Sequence, residues 1–307
     1  MMDSGGDSGR LRDEFGVLPP GDIRRCLVAL SEETALMREL FSYRFVEDPL
    51  QGRSFGNLFF LALTKSLGSQ KKSLHALSKI LKIRGEVIAV TWDDVHVFAR
   101  LQDGVIIKGE ANIDVPKHDP RVPISDVYLE PPATANSRAI KAIGEADFIL
   151  LAPGDLFTST IPNLLVDGIP AAIQESRAPL VYITNLMTKR GETHGFTASH
   201  HIEEIVKYCG RVPDIVVAHQ GDIPDQLARK YEQEQAHKVD IDQERIFELG
   251  VGEIVYEDIM CSKSLVRHDP DKIGDALLRL FNRFALAPAP SESEGNVSQL
   301  RKQLVSS

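Results

Sequence analysis

The sequence has little cysteine and no long hydrophobic run. Its three cysteines, Cys26, Cys209 and Cys261, lie far apart without Cys-x-x-Cys spacing. We therefore predict buried thiols in a reducing compartment. No apolar run approaches the roughly 20 residues that span a bilayer, and the amino terminus has no signal-peptide pattern. These features predict a cytoplasmic protein without a membrane partner.

Positive charge is also scarce. There are 35 Lys and Arg against 44 Asp and Glu, so the formal charge is −9. A surface of this sign repels polyanions at long range, which argues against nucleic acid as a general partner. A local basic pocket for one phosphate group stays open. The hydrophobic fraction of 43% is ordinary for a globular chain that buries a sizeable core.

A buried strand, a tight turn and a helix start organise the middle of the chain. The apolar run 147–152 ends in Pro153-Gly154-Asp155, and a helix pattern begins at Leu156. A second buried strand follows at 180–185, after about one helix length. In open α/β sheets ligands bind at the carboxyl ends of strands. We therefore expect the chemistry at the turns around Gly154 and Asn185.

The remaining pattern extends this unit into one domain. Helical patterns precede it, and Asp22 is the predicted N-cap of the helix at 23–30. Alternating runs at 87–91, 95–101 and 105–108 predict an antiparallel meander at 86–110, with Asp103-Gly104 as a hairpin turn. A strand at 127–129, helices and further strands then alternate. We predict an α/β fold, a single domain over 1–286 and, from its Pro, Ser and Glu content, a disordered tail over 287–307.

Two glycine-containing stretches could bind phosphate. Small residues let backbone N–H groups approach an anion, and Arg10 can neutralise it. The first stretch therefore offers Gly5, Gly6, Ser8, Gly9 and Arg10, and the alternative is a flexible terminus. The second offers Gly154, Asp155 and Ser159 at a helix start, and the alternative is a tight turn with a serine cap. A carboxylate such as Asp155 beside a phosphate is costly unless a metal or an arginine offsets it.

The polar loop after the second buried strand is another candidate ligand site. Asn185 could hydrogen-bond a base edge or a sugar hydroxyl, and Lys189 or Arg190 could meet a phosphate. Thr188 lies in the same loop. The alternative is a surface connection in which Thr197 or Ser199 caps the next helix.

Metal binding and nucleophilic catalysis have weaker support. Asp3, Asp7 and Asp22 could hold a Mg²⁺ bound to phosphate oxygens if the fold brings them together, whereas capping and solvation are the alternative. The histidines lack His-x-x-x-His spacing, and no G-x-S-x-G elbow occurs. No catalytic residue is assigned, and Mg²⁺ is the one candidate cofactor.

Five motifs occur in order along the chain. They are Gly5-Gly-Asp-Ser-Gly-Arg-Leu-Arg12, Leu18-Pro-Pro-Gly-Asp-Ile-Arg24, Ser54-Phe-Gly-Asn-Leu58, Ala152-Pro-Gly-Asp-Leu-Phe-Thr-Ser159 with Ile161-Pro-Asn-Leu-Leu165, and Gly191-Glu-Thr193 before Gly195. Together they resemble the bacterial gluconeogenesis factor (YvcK-like) group of the CofD-like superfamily, whose type member is 2-phospho-L-lactate transferase. The resemblance covers residues 3 to about 285.

This resemblance implies a Rossmann-like, three-layer parallel sheet with the meander as a small antiparallel insertion. It also implies a nucleotide or nucleotide-sugar pocket. Carried over by position, Gly5, Gly6, Ser8 and Arg10 would face phosphates, Asp22 and Asn57 would lie in the cleft, and Gly154 to Ser159 with Asn185 would line the nucleotide side.

The sequence departs from that group at its amino terminus. Relatives begin with a strand and a Gly-Gly-Gly-Thr-Gly loop, and this sequence starts downstream of both. Either the true start lies further upstream or the protein lacks that strand. Relatives also tend to carry Asp-Asp-Gly-Gly-Ser-Ser where this chain has Asp3-Ser4-Gly5-Gly6-Asp7-Ser8, which puts a metal role for the carboxylate pair in doubt.

The leading hypothesis is a cytoplasmic regulator of carbon metabolism and cell morphology that binds a UDP-sugar-type nucleotide. The alternative is an enzyme of the 2-phospho-L-lactate transferase type, which passes a phospholactyl group from a nucleotide donor to a deazaflavin acceptor. A non-binding paralogue is the third. The expected partner is a small-molecule nucleotide or nucleotide-sugar, and a homo-oligomer stays open.

Overall fold

The computed structural model describes residues 5–33, 35–261 and 265–286. Within these ranges it contains a helical amino-terminal region, an antiparallel sheet of three strands, a parallel sheet of four and a short two-stranded pair. The first five helices precede any strand: α1 (Gly6–Phe15), α2 (Gly21–Ala29), α3 (Ala35–Ser42), α4 (Phe55–Leu67) and α5 (Gln70–Ile80). The core shared by α2 to α5 contains Leu27, Phe41, Phe60 and Leu77, each at most 1% exposed. Gly56 allows this packing, because a Cβ there would lie 2.6 Å from the Phe41 carbonyl oxygen.

A three-stranded antiparallel sheet follows. It is built from β1 (His96–Leu101), β2 (Ile106–Lys108) and β3 (Ile124–Glu130), which lie side by side in the order β2-β1-β3. Along the chain, α6 (Glu110–Asp114) connects β2 to β3. The predicted β1–β2 hairpin is confirmed. The prediction that residues 87–91 form a strand is wrong. The third strand is β3, which pairs with the other edge of β1, while Val87 and Ala89 pack against the helical core instead.

The parallel sheet confirms the predicted α/β fold. Its four strands run in chain order as β4 (Ile149–Leu151), β5 (Leu180–Ile183), β6 (Ile215–His219) and β7 (Glu253–Glu257). The connections carry α7 (Ser137–Gly144) before β4, α8 (Ile161–Leu164), α9 (Ile169–Glu175), α10 (Ala198–Cys209), α11 (Asp225–Gln233) and α12 (Gln243–Glu248). The short pair β8 (Met260–Cys261) and β9 (Arg267–His268) precedes α13 (Pro270–Leu286).

Helices cover both faces of this sheet. Leu180 and Tyr182 of β5 belong to the core that contains Ile202 and Ile205 of α10. Val181 and Ile183 point to the other face, where the core contains Leu280 of α13. Successive side chains of a strand alternate between faces, so β5 must be apolar at every position to fill both cores.

The prediction of buried thiols is confirmed only for Cys209, because Cys26 is exposed and Cys261 is half-buried.

Two further expectations concern the amino-terminal helices. Residues 6–10 form the first turns of α1 rather than a flexible terminus, because Leu11 and Asp7 are buried and hold the segment against α4. Pro20, not Asp22, is the N-cap of α2. The tail predicted at 287–307 lies outside the described residues. None of the helices in the described ranges combines the length and apolar character of a membrane span.

Candidate functional site at the carboxyl edge

The carboxyl ends of β4 and β5 bring two of the predicted site residues into contact. The Asn185 amide nitrogen donates to the Gly154 carbonyl oxygen at 2.9 Å, and the Tyr182 hydroxyl donates to the Asn185 amide oxygen at 3.2 Å. Tyr182 is 2% exposed, and burial raises its pKa, so the hydroxyl keeps its proton. Both ends of the Asn185 amide are therefore fixed, and this side chain ties the two loops together.

The turn after Gly154 differs from the predicted helix start. Leu156–Thr160 forms a π-helical turn that continues into α8. Ser159 is exposed and its N–H donates to the Asp155 carbonyl at 2.9 Å, so its hydroxyl is not the predicted cap. A Cβ at Gly154 would lie 3.1 Å from the Ser159 Cβ, which explains why this close turn carries glycine. π-helical turns are frequent at functional sites.

A lysine surrounded by three carboxylates lies beside this turn. Lys189 Nζ donates to Asp155 at 2.7 Å, lies 2.8 Å from a Glu192 oxygen and forms a third ion pair with Asp114. We call these four residues the Lys189 cluster. It links the loop after β5 to the loop after β4 and to the end of α6. The predicted need for a cation beside Asp155 is met by Lys189 rather than by an arginine.

Burial controls the electrostatics of this cluster. The Glu192 side chain is fully buried, and it accepts from the Phe157 N–H at 3.2 Å and the Thr158 hydroxyl at 3.3 Å. Burial, with a smaller contribution from the charge of Asp155, raises the pKa of Glu192 to about 7, although Lys189 acts in the opposite direction. Burial alone would lower the pKa of Lys189, but its carboxylate partners raise it above the ordinary value. Lys189 is therefore charged, and Glu192 titrates near neutrality.

The carboxylates of the cluster have the spacing of metal ligands. Their oxygens in Asp114, Asp155 and Glu192 lie within 4.8 Å of one another. Lys189 Nζ, however, is ion-paired with all three, so an ammonium already supplies the positive charge that a divalent cation would bring. The residues as arranged do not fit Mg²⁺ unless Lys189 withdraws.

A cavity of about 370 Å³ opens further along the same edge, beyond β5 and β6. Thr188 holds the loop after β5 against one wall of this cavity. The Thr188 N–H donates to the His237 carbonyl at 2.7 Å, and the His237 N–H donates to the Thr188 hydroxyl at 2.9 Å. The residues that line the cavity come from the loops after both strands, from α11 and from the segment that follows α11: Met187, Asp222, Ile223, Asp225, Ala228, Glu232, Ala236, His237 and Lys238. Five of these nine side chains are charged or polar, which suits a ligand that carries hydroxyl groups.

Two of the amino-terminal candidates, Asp7 and Asn57, belong to a second cluster. The Asp7 carboxylate accepts from the Ser54 N–H at 2.9 Å and from the Asn57 amide at 2.8 Å, and it lies 3.4 Å from Arg53 Nη1. Arg24 Nε donates to the Asn57 amide oxygen at 3.0 Å, and burial lowers the pKa of Arg24. Asp7 therefore neutralises the positive end of α4, where an anionic ligand would otherwise be favoured.

The other amino-terminal candidates have mixed positions. Ser8 and Gly9 are buried in α1, Gly6 and Arg10 are exposed, and Gly5 is half-buried. Asp22 is exposed and lies 3.8 Å from Arg25, which favours the solvated alternative for this carboxylate. Asp3 lies outside the described residues. The ligand and metal roles predicted for these positions stay predictions.

Sequence reasoning missed part of the Lys189 cluster. Glu192 was visible only as part of the Gly191-Glu-Thr193 motif, and Asp114 had no signal, since it precedes Lys189 by 75 residues. Gly191 has φ +82° and a Cβ there would lie 2.6 Å from Pro116 Cγ, so this glycine lets the loop approach the chain after α6. A Gly-Glu pair following a buried strand was the available clue.

Comparison with known proteins identifies the family. The CofD family model, described as 2-phospho-L-lactate transferase CofD, matches residues 1–260. The chain belongs to the CofD family. Among CofD family relatives, a protein of Nostoc sp. is 45% identical over 289 residues, which cover 92% of this chain, and the chain spans only 62% of that relative's length.

Further members of the family carry the name gluconeogenesis factor. The Bacillus subtilis protein is 38% identical over 286 residues, covering 92% of this chain and 88% of its own length. The Halalkalibacterium halodurans protein is 40% identical over 281 residues, covering 91% and 86%. A crystal structure of a Bacillus halodurans protein has a TM-score of 0.85 at 38% identity, covering 90% of this chain and 89% of that chain. The predicted resemblance and CofD-like fold are therefore confirmed.

Proposed function

We propose that the chain binds a nucleotide-sugar of the UDP-sugar type at the carboxyl edge and acts as a cytoplasmic regulator of carbon metabolism and cell morphology. The observation that carries this proposal is the hydrogen bond from Asn185 to the Gly154 carbonyl, which joins two loops at the end of the parallel sheet. Ligands of open α/β sheets bind at this edge. The gluconeogenesis factors among the relatives support the regulatory role.

The chemistry of this edge suits a sugar more readily than a bare phosphate. Carboxylates accept hydrogen bonds from hydroxyl groups, and Asp222, Asp225 and Glu232 line the cavity. Lys238 and His237 supply the basic groups on the same wall. Backbone N–H groups around Gly154 are the candidates for the diphosphate.

The test is ligand binding by the purified chain. UDP-sugars should raise the melting temperature, and calorimetric titration should give a saturable isotherm. Asn185→Ala should weaken binding roughly tenfold, since the two loops lose their link. Asn282→Ala is the matched control, because Asn282 is exposed on α13, which contributes no residue to the cavity or to the Lys189 cluster. Absence of any UDP-sugar-dependent shift would refute the proposal.

The description of the matching family model favours a second candidate, transfer of a phospholactyl group to a deazaflavin hydroxyl. In that reaction the acceptor oxygen attacks phosphorus and the nucleotide leaves, so charge on the leaving group must be stabilised. Incubation with donor, acceptor and Mg²⁺ tests it. Product formation would support the transferase, whereas no product together with tight UDP-sugar binding would favour the regulator.

A further inference from the structure

A second groove lies away from the carboxyl edge, between α5, the extended segment 86–92 and the first residues of α7. We call it the α5 groove. Its volume is about 590 Å³. Sites that take small molecules and cofactors typically measure about 300–1,000 Å³. The groove is therefore large enough for a ligand with a ring and several phosphate groups.

Three lysines and one histidine lie along one wall of the α5 groove. Lys71, His75 and Lys79 line it at steps of four residues, and Lys82 follows three residues later. Side chains at these spacings share one face of a helix. The formal charge of the whole chain is −9, so this stripe opposes the overall charge. An anion is thus attracted to the groove although the protein as a whole repels it.

Two of these cations are available to a ligand. Lys82 is 2.8 Å from Glu33, and Arg138 on the opposite wall is paired with Glu86. Within the described residues, no ion pair with a carboxylate involves Lys71 or Lys79. Their charges are therefore not compensated in the groove.

The groove also contains an aromatic surface. Trp92, the single tryptophan of the chain, is half-buried in its lining. Lys71 Nζ lies 5.7 Å from the centroid of the Trp92 ring. A planar heterocycle could stack on this indole next to a lysine, an arrangement that binds nucleobases without reading their sequence.

The start of α7 closes the far end of the groove. The Asn136 side chain accepts from the Arg138 N–H at 3.2 Å, and its amide donates to the Ala89 carbonyl at 3.0 Å. Asn136 therefore holds the amino end of α7 against the extended segment that carries Trp92. The partial positive charge of this helix end adds to that of the lysines.

We propose that the α5 groove is a second ligand site that binds a nucleoside di- or triphosphate, with the base against Trp92 and the phosphates between Lys71, Lys79 and the amino end of α7. A polynucleotide is disfavoured as the main ligand because the chain as a whole carries a formal charge of −9 and repels long polyanions. This site is separate from the carboxyl edge and does not depend on the function proposed there.

Trp92 provides a local reporter for the experiment. ADP, GDP and UDP are titrated into the full chain while tryptophan fluorescence is followed, with correction for nucleotide absorption. Saturable quenching is expected, and adenosine or inorganic pyrophosphate alone should bind more weakly. Lys79→Ala should raise the dissociation constant roughly fivefold, as expected for the loss of one surface charge contact.

Matched variants separate this site from its surroundings. Lys72→Ala is the control for Lys79→Ala, because Lys72 is exposed on the same helix but does not line the groove. Asn185→Ala should leave the quenching unchanged. The proposal is overturned if no probe quenches saturably, or if Lys79→Ala and Lys72→Ala give the same dissociation constant. Calorimetric titration of Trp92→Phe with the same nucleotides gives an independent measurement. The heat of nucleotide binding should be smaller than that of the wild type.

Discussion

Replacing Glu192 with glutamine tests the electrostatics of the Lys189 cluster. The Glu192 side chain is fully buried and 2.8 Å from Lys189, yet burial raises its pKa to about 7 from an ordinary 4.5. A carboxyl group with a higher pKa in the folded chain holds its proton more tightly when folded. The protonated Glu192 therefore contributes its full stabilisation of the folded chain below pH 4.5, and this stabilisation is lost as the pH rises to about 7.

The size of the effect follows from the two pKa values. Their difference corresponds to about 3 kcal/mol of unfolding free energy, at 1.36 kcal/mol for each pKa unit. Glutamine resembles the protonated acid in shape and does not titrate. The wild type and Glu192→Gln should thus have similar unfolding free energies at and below pH 4.5. Above neutral pH the variant should be more stable by about 3 kcal/mol.

Urea unfolding followed by circular dichroism over this pH range provides the measurement. Glu175→Gln is the control, since Glu175 is exposed at the end of α9 and its replacement should leave the pH dependence unchanged. The reasoning is refuted if the wild type gains stability relative to Glu192→Gln as the pH rises. That result would mean that the ion pair with Lys189 outweighs the burial of the carboxylate.

Two other substitutions probe the two clusters. Asn57→Ala should lower the unfolding free energy by about 3 kcal/mol, because it removes one hydrogen bond from each of two buried charged groups, Arg24 and Asp7. Replacement of the exposed Asp22 by alanine should change it by less than about 0.5 kcal/mol, and equal losses in urea unfolding would contradict this. Lys189→Met should create a divalent-cation site, because it removes the ammonium group from three carboxylates. Mg²⁺ should therefore raise the melting temperature of the variant and not that of the wild type. Equal shifts for both proteins would show that Lys189 does not compete with a metal.

Local patterns in the sequence were enough to predict two strands of the parallel sheet and the contact between the loops that follow them. The apolar runs at 147–152 and 180–185 contain β4 and β5, and the turns that follow them do meet through Asn185 and Gly154. Both signals are local, because a strand buried on both faces must be apolar throughout and must end in a turn. The fold could therefore be predicted without knowing any long-range contact.

Long-range pairing could not be predicted in this way. Four of the five residues at 87–91 are β-branched but only two of the seven in Ile124–Glu130, and yet the second segment is the one that pairs with β1. Local β-propensity therefore does not decide this pairing, which depends on the tertiary structure. The glycine-rich start of α1 likewise reads as a loop, yet buried Asp7 and Leu11 stabilise a helix against its propensity. Asp114 joins the Lys189 cluster from 75 residues away, and no local pattern marks it.

The side chains at the carboxyl edge lead to one last expectation about affinity. Carboxylates outnumber cations both around Lys189 and along the cavity wall, so this edge offers many acceptors for sugar hydroxyls and few charges for phosphates. Hydrogen bonds to charged acceptors contribute about 1.5–3 kcal/mol each. The sugar should therefore supply much of the affinity, and a UDP-sugar should bind at least roughly tenfold more tightly than UDP. Calorimetric titration compares the two ligands directly, and equal affinities would show that the phosphates, held by backbone amides, dominate recognition instead.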